Sequence, residues 1–137
     1  MTIVLDCSVV ASALLDQPFT ANAHRVLASP EPIHAPALLA SELANAFWLQ
    51  AREGRLSAPE AAARLRALEA SGIELVDDMA LRERALCVAL QAGCTCYDAE
   101  YIALAEMLDA VFVTADRRQL RAARGILGDR GIWLGDA

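Results

Sequence analysis

Short apolar runs alternate along this chain with longer stretches in which apolar residues recur every three or four positions. That alternation is the mark of strands joined by crossover helices in a parallel sheet, so the fold class is α/β. The runs predict strands over 3–5, 33–35, 74–76, 111–113 and 132–134, the central ones rich in β-branched residues and bare of charge, as strands covered on both faces must be. Between them the periodicity predicts helices over about 9–15, 19–28, 36–53, 58–71, 80–92, 99–108 and 117–126.

Capping chemistry sharpens several boundaries. Pro36 suits the first turn of a helix, where its missing N–H costs nothing. Gly54, Gly72 and Gly93 suit positions just past helix ends. Ser57 and Glu60 have the spacing of a capping box, which starts the next helix there. The two helices flanking Gly54 should form an antiparallel hairpin, and Phe47, Trp48 and Leu49 give the first of them more apolar surface than one helix face requires. Either a partner covers the excess or Trp48 packs beneath the second helix.

Composition narrows the function. The 137 residues suit a single domain, and 56% hydrophobic against 22% charged residues supply a core and argue against disorder. A net charge of -6 argues against nucleic-acid binding through a broadly basic surface, though not against a local basic patch. Every basic residue is Arg. The absence of Lys excludes Schiff-base enzymes, the phosphate loop ending Gly-Lys-Ser/Thr and response-regulator receivers. No run approaches the roughly 18 apolar residues of a membrane span, and Asp6 interrupts the first apolar stretch, so a cytoplasmic protein with no membrane partner is expected. Cys7, Cys87, Cys94 and Cys96 lack C-x-x-C spacing and read as reduced small hydrophobes, while His24 and His34 have no partners at metal-site spacing.

The chemistry lies in the acids. Ligands of an open parallel sheet bind beyond the carboxyl ends of the strands. Asp6 directly follows the first strand and Asp116 follows VFVT at the fourth. Asp98 opens the helix feeding that strand, and Glu42 sits in the second turn of the helix after the second. Asp6, Asp98 and Asp116 could each be a helix cap or first-turn acid. Glu42 is harder to explain that way, since LLASELANAFWL is otherwise almost without charge and a buried lone carboxylate is costly; Ser41 or Asn45 could satisfy it. Converging carboxylates repel by ~1 kcal/mol at 4 Å in water and ~4 at an effective dielectric near 20, so their pKa values should rise and a cation should relieve them. An all-oxygen site without His or Cys selects Mg²⁺ or Mn²⁺ over zinc, and such sites perform hydrolysis or transfer at phosphorus.

Taken in order, IVLDCSVV, APALLASELANAF and CYDAEYIALAEMLDAVFVTADRRQL resemble the PIN-domain ribonucleases, in particular the VapC-type toxins of bacterial type II toxin–antitoxin systems. The resemblance runs along nearly the whole chain. It implies a three-layer α/β/α sandwich around a parallel sheet of four or five strands, and it places the family's catalytic, metal-binding acids on Asp6, Glu42, Asp98 and Asp116. It further implies RNA cleavage with Mg²⁺ or Mn²⁺ leaving a 5′-phosphate and a 3′-hydroxyl, a homodimer, and inhibition by a cognate VapB-type antitoxin. Such an antitoxin lays a segment across the toxin and inserts a basic side chain into the acidic pocket, and the apolar hairpin is a landing site for it. Ser8 and Thr114 match positions that orient the acids or a water, although Ser8 also suits a helix start. Cys7 stands where a smaller residue is usual, and Glu100 adds an acid, but residues two apart on a helix point about 200° from each other, so it should face away from Asp98.

Other residues keep two readings. Tyr97 could stack on a base at the pocket rim or pack in the core. Arg117, Arg118, Arg121 and Arg124 cluster after Asp116, with 117, 121 and 124 on one face, and could neutralise RNA phosphates or form a solvated face paired with acids. Two other functions fit less well. A haloacid-dehalogenase-type phosphatase also has an Asp after its first strand, but needs a second Asp where Ser8 stands and usually a Lys. A non-catalytic PIN-like module binding RNA or protein is the remaining alternative, set against the presence of all four acids.

Overall fold

A computed structural model describes all residues, 1–137. Its elements in chain order are β1 (Ile3–Leu5), α1 (Cys7–Leu14), α2 (Thr20–Leu27), β2 (Ile33–Pro36), α3 (Leu38–Arg52), α4 (Ala58–Arg66), β3 (Glu74–Val76), α5 (Met79–Ala92), α6 (Cys96–Met107), β4 (Val111–Thr114), α7 (Arg117–Leu127) and β5 (Gly131–Trp133). Every strand pair is parallel, in the order β3-β2-β1-β4-β5. The two central strands are the most apolar: all three residues of β1 are buried, as are Phe112, Val113 and Thr114 of β4. Helices α1 to α4 pack among themselves, and so do α5, α6 and α7. With the sheet between these sets the architecture is the three-layer α/β/α sandwich, built around a contiguous core of 32 buried residues.

This arrangement follows from parallel pairing, which needs a helical crossover between neighbouring strands. The chain winds outward from β1 to β2 and β3, then returns across the sheet to add β4 and β5 on the other side of β1. The order therefore reverses between β1 and β4. Leu5 stands opposite Val113, which brings the residues leaving both strands together at the carboxyl edge.

The expected elements are present, with informative shifts at their ends. Pro36 closes β2, opposite Val76, instead of opening α3. Pairing between β1 and β2 stops at Val4–His34, so no bond to β1 is lost through the missing N–H at Pro36. Helix α4 ends at Arg66, short of residue 71, because the chain tightens into successive i→i+3 bonds from Leu68 to Ser71 before Gly72 turns it at φ 77°. Helix α6 starts at Cys96, earlier than 99, because the Thr95 side chain accepts from the Asp98 amide. Strand β5 lies one residue earlier than 132–134, with Leu134 already in a 3₁₀ turn.

The capping box at Ser57 and Glu60 is formed, and α3 and α4 pack as a hairpin. Between them runs a groove of about 270 Å³ lined entirely by apolar residues, among them Phe47, Trp48, Ala58, Ala62 and Leu65. Trp48 is 53% exposed, with Arg52 stacked over its ring at 5.3 Å, so the second helix does not cover it. No helix is long and apolar enough to cross a membrane.

Candidate active site

The site forms around the first residue beyond β1. Asp6 has extended backbone and caps α1, its Oδ1 accepting from the Ser8 amide at 3.1 Å and from the Ser8 hydroxyl. Its Oδ2 accepts from the Thr114 hydroxyl at 2.6 Å. Both hydroxyls then turn their lone pairs to the loop after β4: Ser8 Oγ accepts from the Ala115 amide at 2.9 Å and Thr114 Oγ1 from the Asp116 amide at 3.0 Å. Each hydroxyl has one proton and gives it to Asp6. The network thus locks the Asp6 carboxylate to the loop carrying Asp116. Ser8 and Thr114 accordingly orient an acid, and Ser8 occupies the place where a haloacid dehalogenase needs its second Asp.

Asp116 caps α7, its Oδ1 accepting from the amides of Arg118 and Gln119 at 2.9 and 3.2 Å. Asp98 lies in the first turn of α6, whose cap is Thr95. The Arg118 guanidinium reaches Asp98 Oδ2 at 3.3 Å, and the buried Gln119 side chain donates to the Asp98 carbonyl at 2.9 Å, fastening α6 to α7. Glu42, from the second turn of α3, accepts at Oε1 from the Tyr101 hydroxyl. Neither Ser41 nor Asn45 satisfies Glu42; its partner comes from the opposite helix layer. Tyr101 and Gln119 were not expected at the site. The available signal was spacing, each lying three residues after an acid on the same helix and hence on the same face.

All four acids line one pocket of about 100 Å³, together with Cys7, Ser8, Tyr101 and Gln119. The capping explanation is therefore true of Asp6 and Asp116 and does not compete with convergence. Glu100 is absent from the lining, as its helical phase requires. Tyr97 is 66% exposed and outside both the pocket and the core. Core packing is excluded for it. The arginines after Asp116 divide: Arg117 stacks 3.7 Å above the Trp133 ring and Arg124 donates to the Gly131 carbonyl at 3.1 Å, while Arg118 and Arg121 border a cleft beside the acids. The shared face of 117, 121 and 124 is thus not one patch.

Titration behaviour follows depth. Burial pushes the Asp6 carboxyl up to about 6, against the lowering effect of its bonds from Ser8 and Thr114, and the Asp116 charge adds a smaller rise. Glu42 is also raised, first by burial, with the Tyr101 bond opposing and the charges of Asp98 and Glu100 adding. Mutual repulsion acts as expected, yet desolvation outweighs it. Burial, then the charges of Glu42 and Asp6, push the Cys7 thiol up to about 12, which keeps it protonated and unreactive. The phenol of Tyr101 is raised by burial and by Glu42, so it remains a donor. All four cysteines are free thiols.

The donor set is all oxygen, which suits a hard divalent cation. Glu42 Oε2, Asp98 Oδ1 and Asp116 Oδ2 receive no hydrogen bond from the protein. No three acids stand close enough together to grip an ion by themselves. Mg²⁺ does not require that, since it keeps several waters and is held by one or two carboxylates plus substrate phosphates. The residues present therefore fit such an ion.

The PIN domain pattern matches residues 3–125. Ribonuclease VapC3 of Pyrobaculum aerophilum is 32% identical over 120 residues, covering 86% of this chain and 92% of that protein. Ribonuclease VapC9 of Mycobacterium tuberculosis is 34% identical over 116 residues, 85% of this chain and 87% of the relative. The crystal structure of PAE2754 from Pyrobaculum aerophilum superposes with a TM-score of 0.75 at 28% identity, covering 99% of this chain and 94% of that one. The fold, the pocket and these relatives define one class: the chain belongs to the PIN-domain family. Within that family its likeness is to the VapC toxins.

Proposed function

We propose that this protein is a divalent-metal-dependent endoribonuclease toxin, cutting RNA phosphodiesters at the pocket of Asp6, Glu42, Asp98 and Asp116 and held in check by a cognate VapB-type antitoxin. The observation that carries the reading is the arrival of four carboxylates from four separate elements in one small pocket, with Asp6 fixed through both its oxygens. Two relatives named ribonuclease VapC support the substrate class.

Mg²⁺ or Mn²⁺, when bound among these acids, supplies an activated water and offsets charge at the phosphorus. The protein's own groups do the rest. Ser8 and Thr114 keep the Asp6 carboxylate from rotating, so its geometry is set before substrate arrives. Tyr101 holds Glu42 by one oxygen and leaves the other toward the pocket. Gln119 fixes the turn bearing Asp98 relative to Asp116. Raised carboxyls at Asp6 and Glu42 mean that protons must be displaced for a cation to bind, so activity should rise with pH through the range near 6. The open apolar groove between α3 and α4 supports docking of an antitoxin segment there; on this reading that segment sends a basic side chain to the acids, and the active unit is a homodimer.

The test is cleavage of total bacterial RNA by the antitoxin-free protein with Mn²⁺, with EDTA, and as the Asp98→Asn variant, followed by mapping of the new ends. Internal cuts bearing 5′-phosphates, dependent on metal and absent in the variant, are expected. Trimming from chain ends alone would make the enzyme an exonuclease. Absence of cutting by folded protein that also fails to bind Mn²⁺ would leave a binding module.

A further inference from the structure

Beside the acid pocket lies a larger cleft, about 310 Å³, bordered by Gly93, Cys94, Arg118 and Arg121 and sharing Asp98 and Gln119 with the pocket. Its cations stand out against how the other arginines are used. In a chain of net charge -6, every arginine but two is held by a carboxylate, a backbone carbonyl or an aromatic ring. The exceptions are Arg66, exposed on α4, and Arg121, in this cleft. Arg118 stands three residues before Arg121, on the same helical face, and is 74% exposed despite its pairing with Asp98.

We propose that this cleft binds a non-scissile phosphate of the RNA strand, the neighbour of the one attacked at the acid pocket. This rests on the ribonuclease reading above and adds where the substrate chain runs. A polymeric substrate carries further phosphates on either side of the bond cut, and an acidic protein must meet at least one with positive charge to hold the strand. Arg121 is free to do so. Its guanidinium can take two oxygens of one phosphate, and no internal bond must first be broken. Asp98 in the shared wall opposes an anion there, and Arg118, already on Asp98, offsets that charge. The two arginines thus have separate tasks: Arg118 screens the wall, and Arg121 grips the strand.

Arg121→Ala tests this, because the exposed side chain makes no hydrogen bond or ion pair within the fold. Binding of a random-sequence, single-stranded 12-nucleotide RNA would be followed by fluorescence anisotropy with Mg²⁺, in a Glu42→Gln parent that prevents cutting. Loss of one phosphate contact on a single strand lowers the slope of log affinity against log salt by about 0.7, which is about fivefold in affinity at 0.1 M salt. The control is Arg66→Ala, which removes the same charge from a remote helix. Fivefold weakening by Arg121→Ala with unchanged Mn²⁺ affinity, against less than twofold by Arg66→Ala, is the expected result. Equal effects of the two variants, or none, overturn the phosphate site and leave the ribonuclease reading standing. A parent that binds no RNA overturns both.

Discussion

The acid pocket and the groove between α3 and α4 use opposite faces of physical chemistry, and α3 serves both. Glu42 on that helix turns into a pocket where each carboxylate has a hydrogen-bonding partner, whereas Phe47 and Trp48 border a groove of apolar atoms with Trp48 left half in water. In the pocket, polar groups are buried and oriented at a cost in solvation. In the groove, apolar groups are left uncovered at a cost in hydrophobic stabilisation. The first brings its acids together from elements of one chain; the second leaves apolar surface open. Substitutions in the two regions should therefore separate cleanly into losses of rate and losses of association.

The largest effect should come from Asp98→Asn, which should slow RNA cleavage by about 1,000-fold, or ~4 kcal/mol of barrier, because the acid helps hold the cation that meets charge developing at the reacting phosphate. Antitoxin binding through the groove should survive that change, measured by co-purification. Next comes stability in EDTA. With its carboxyl raised from 3.8 to about 6 in the folded state, Asp6 binds protons more readily folded than unfolded. Its contribution is thus fully present below pH ~4, falls as pH rises through 6, and by pH 7 amounts to a penalty of about 3 kcal/mol. Urea unfolding at pH 4.5 and pH 7 should show that fall, Asp6→Asn should lack it, and Mn²⁺ should offset it at neutral pH by binding only the folded state. Equal pH slopes for the two proteins would refute the assignment.

Smaller losses should follow from loosening the acids without removing them. Thr114→Val keeps the shape but drops the bond to Asp6, and by analogy with outer partners of metal sites it should lower Mn²⁺ affinity or activity about 10-fold. A calorimetric Mn²⁺ titration checks it. Smallest of all should be Trp48→Ala, which should shift folding stability by less than about 0.5 kcal/mol because the side chain is exposed, while weakening association with antitoxin or a second copy. A melting curve beside a pull-down distinguishes those outcomes. A melting temperature that dropped steeply would mean that the groove belongs to the monomer's own core.

Much of this arrangement could be read from the chain, because parallel sheets impose a rule: whatever follows β1 and β4 must meet at one edge. Asp6 and Asp116 obey it, and their capping roles were visible in the same letters. What escaped reading depends on depth and on partners distant in sequence. Tyr101 bonds Glu42 across 59 positions, and no local pattern marks that pairing. Desolvation outweighing repulsion at Asp6 is likewise a property of burial, which spacing cannot give. Pro36 suits a helix start and a strand end alike, and only the early end of the β1–β2 ladder decides between them. Arg117, Arg121 and Arg124 share a phase on the helix wheel, but Trp133 and the Gly131 carbonyl claim two of them from the adjoining edge strand β5.

The bonds from Ser8 to the loop after β4 join residues more than a hundred positions apart. That separation has a meaning for the cell that makes the protein. Asp6 leaves the ribosome more than a hundred residues before the loop that fixes it and the acid at the start of α7. At ~5–20 residues per second, several seconds of synthesis separate the two, and no site is assembled in that interval. A site built this way cannot act while its domain is still being made, because the residues that hold Asp6 in place do not yet exist.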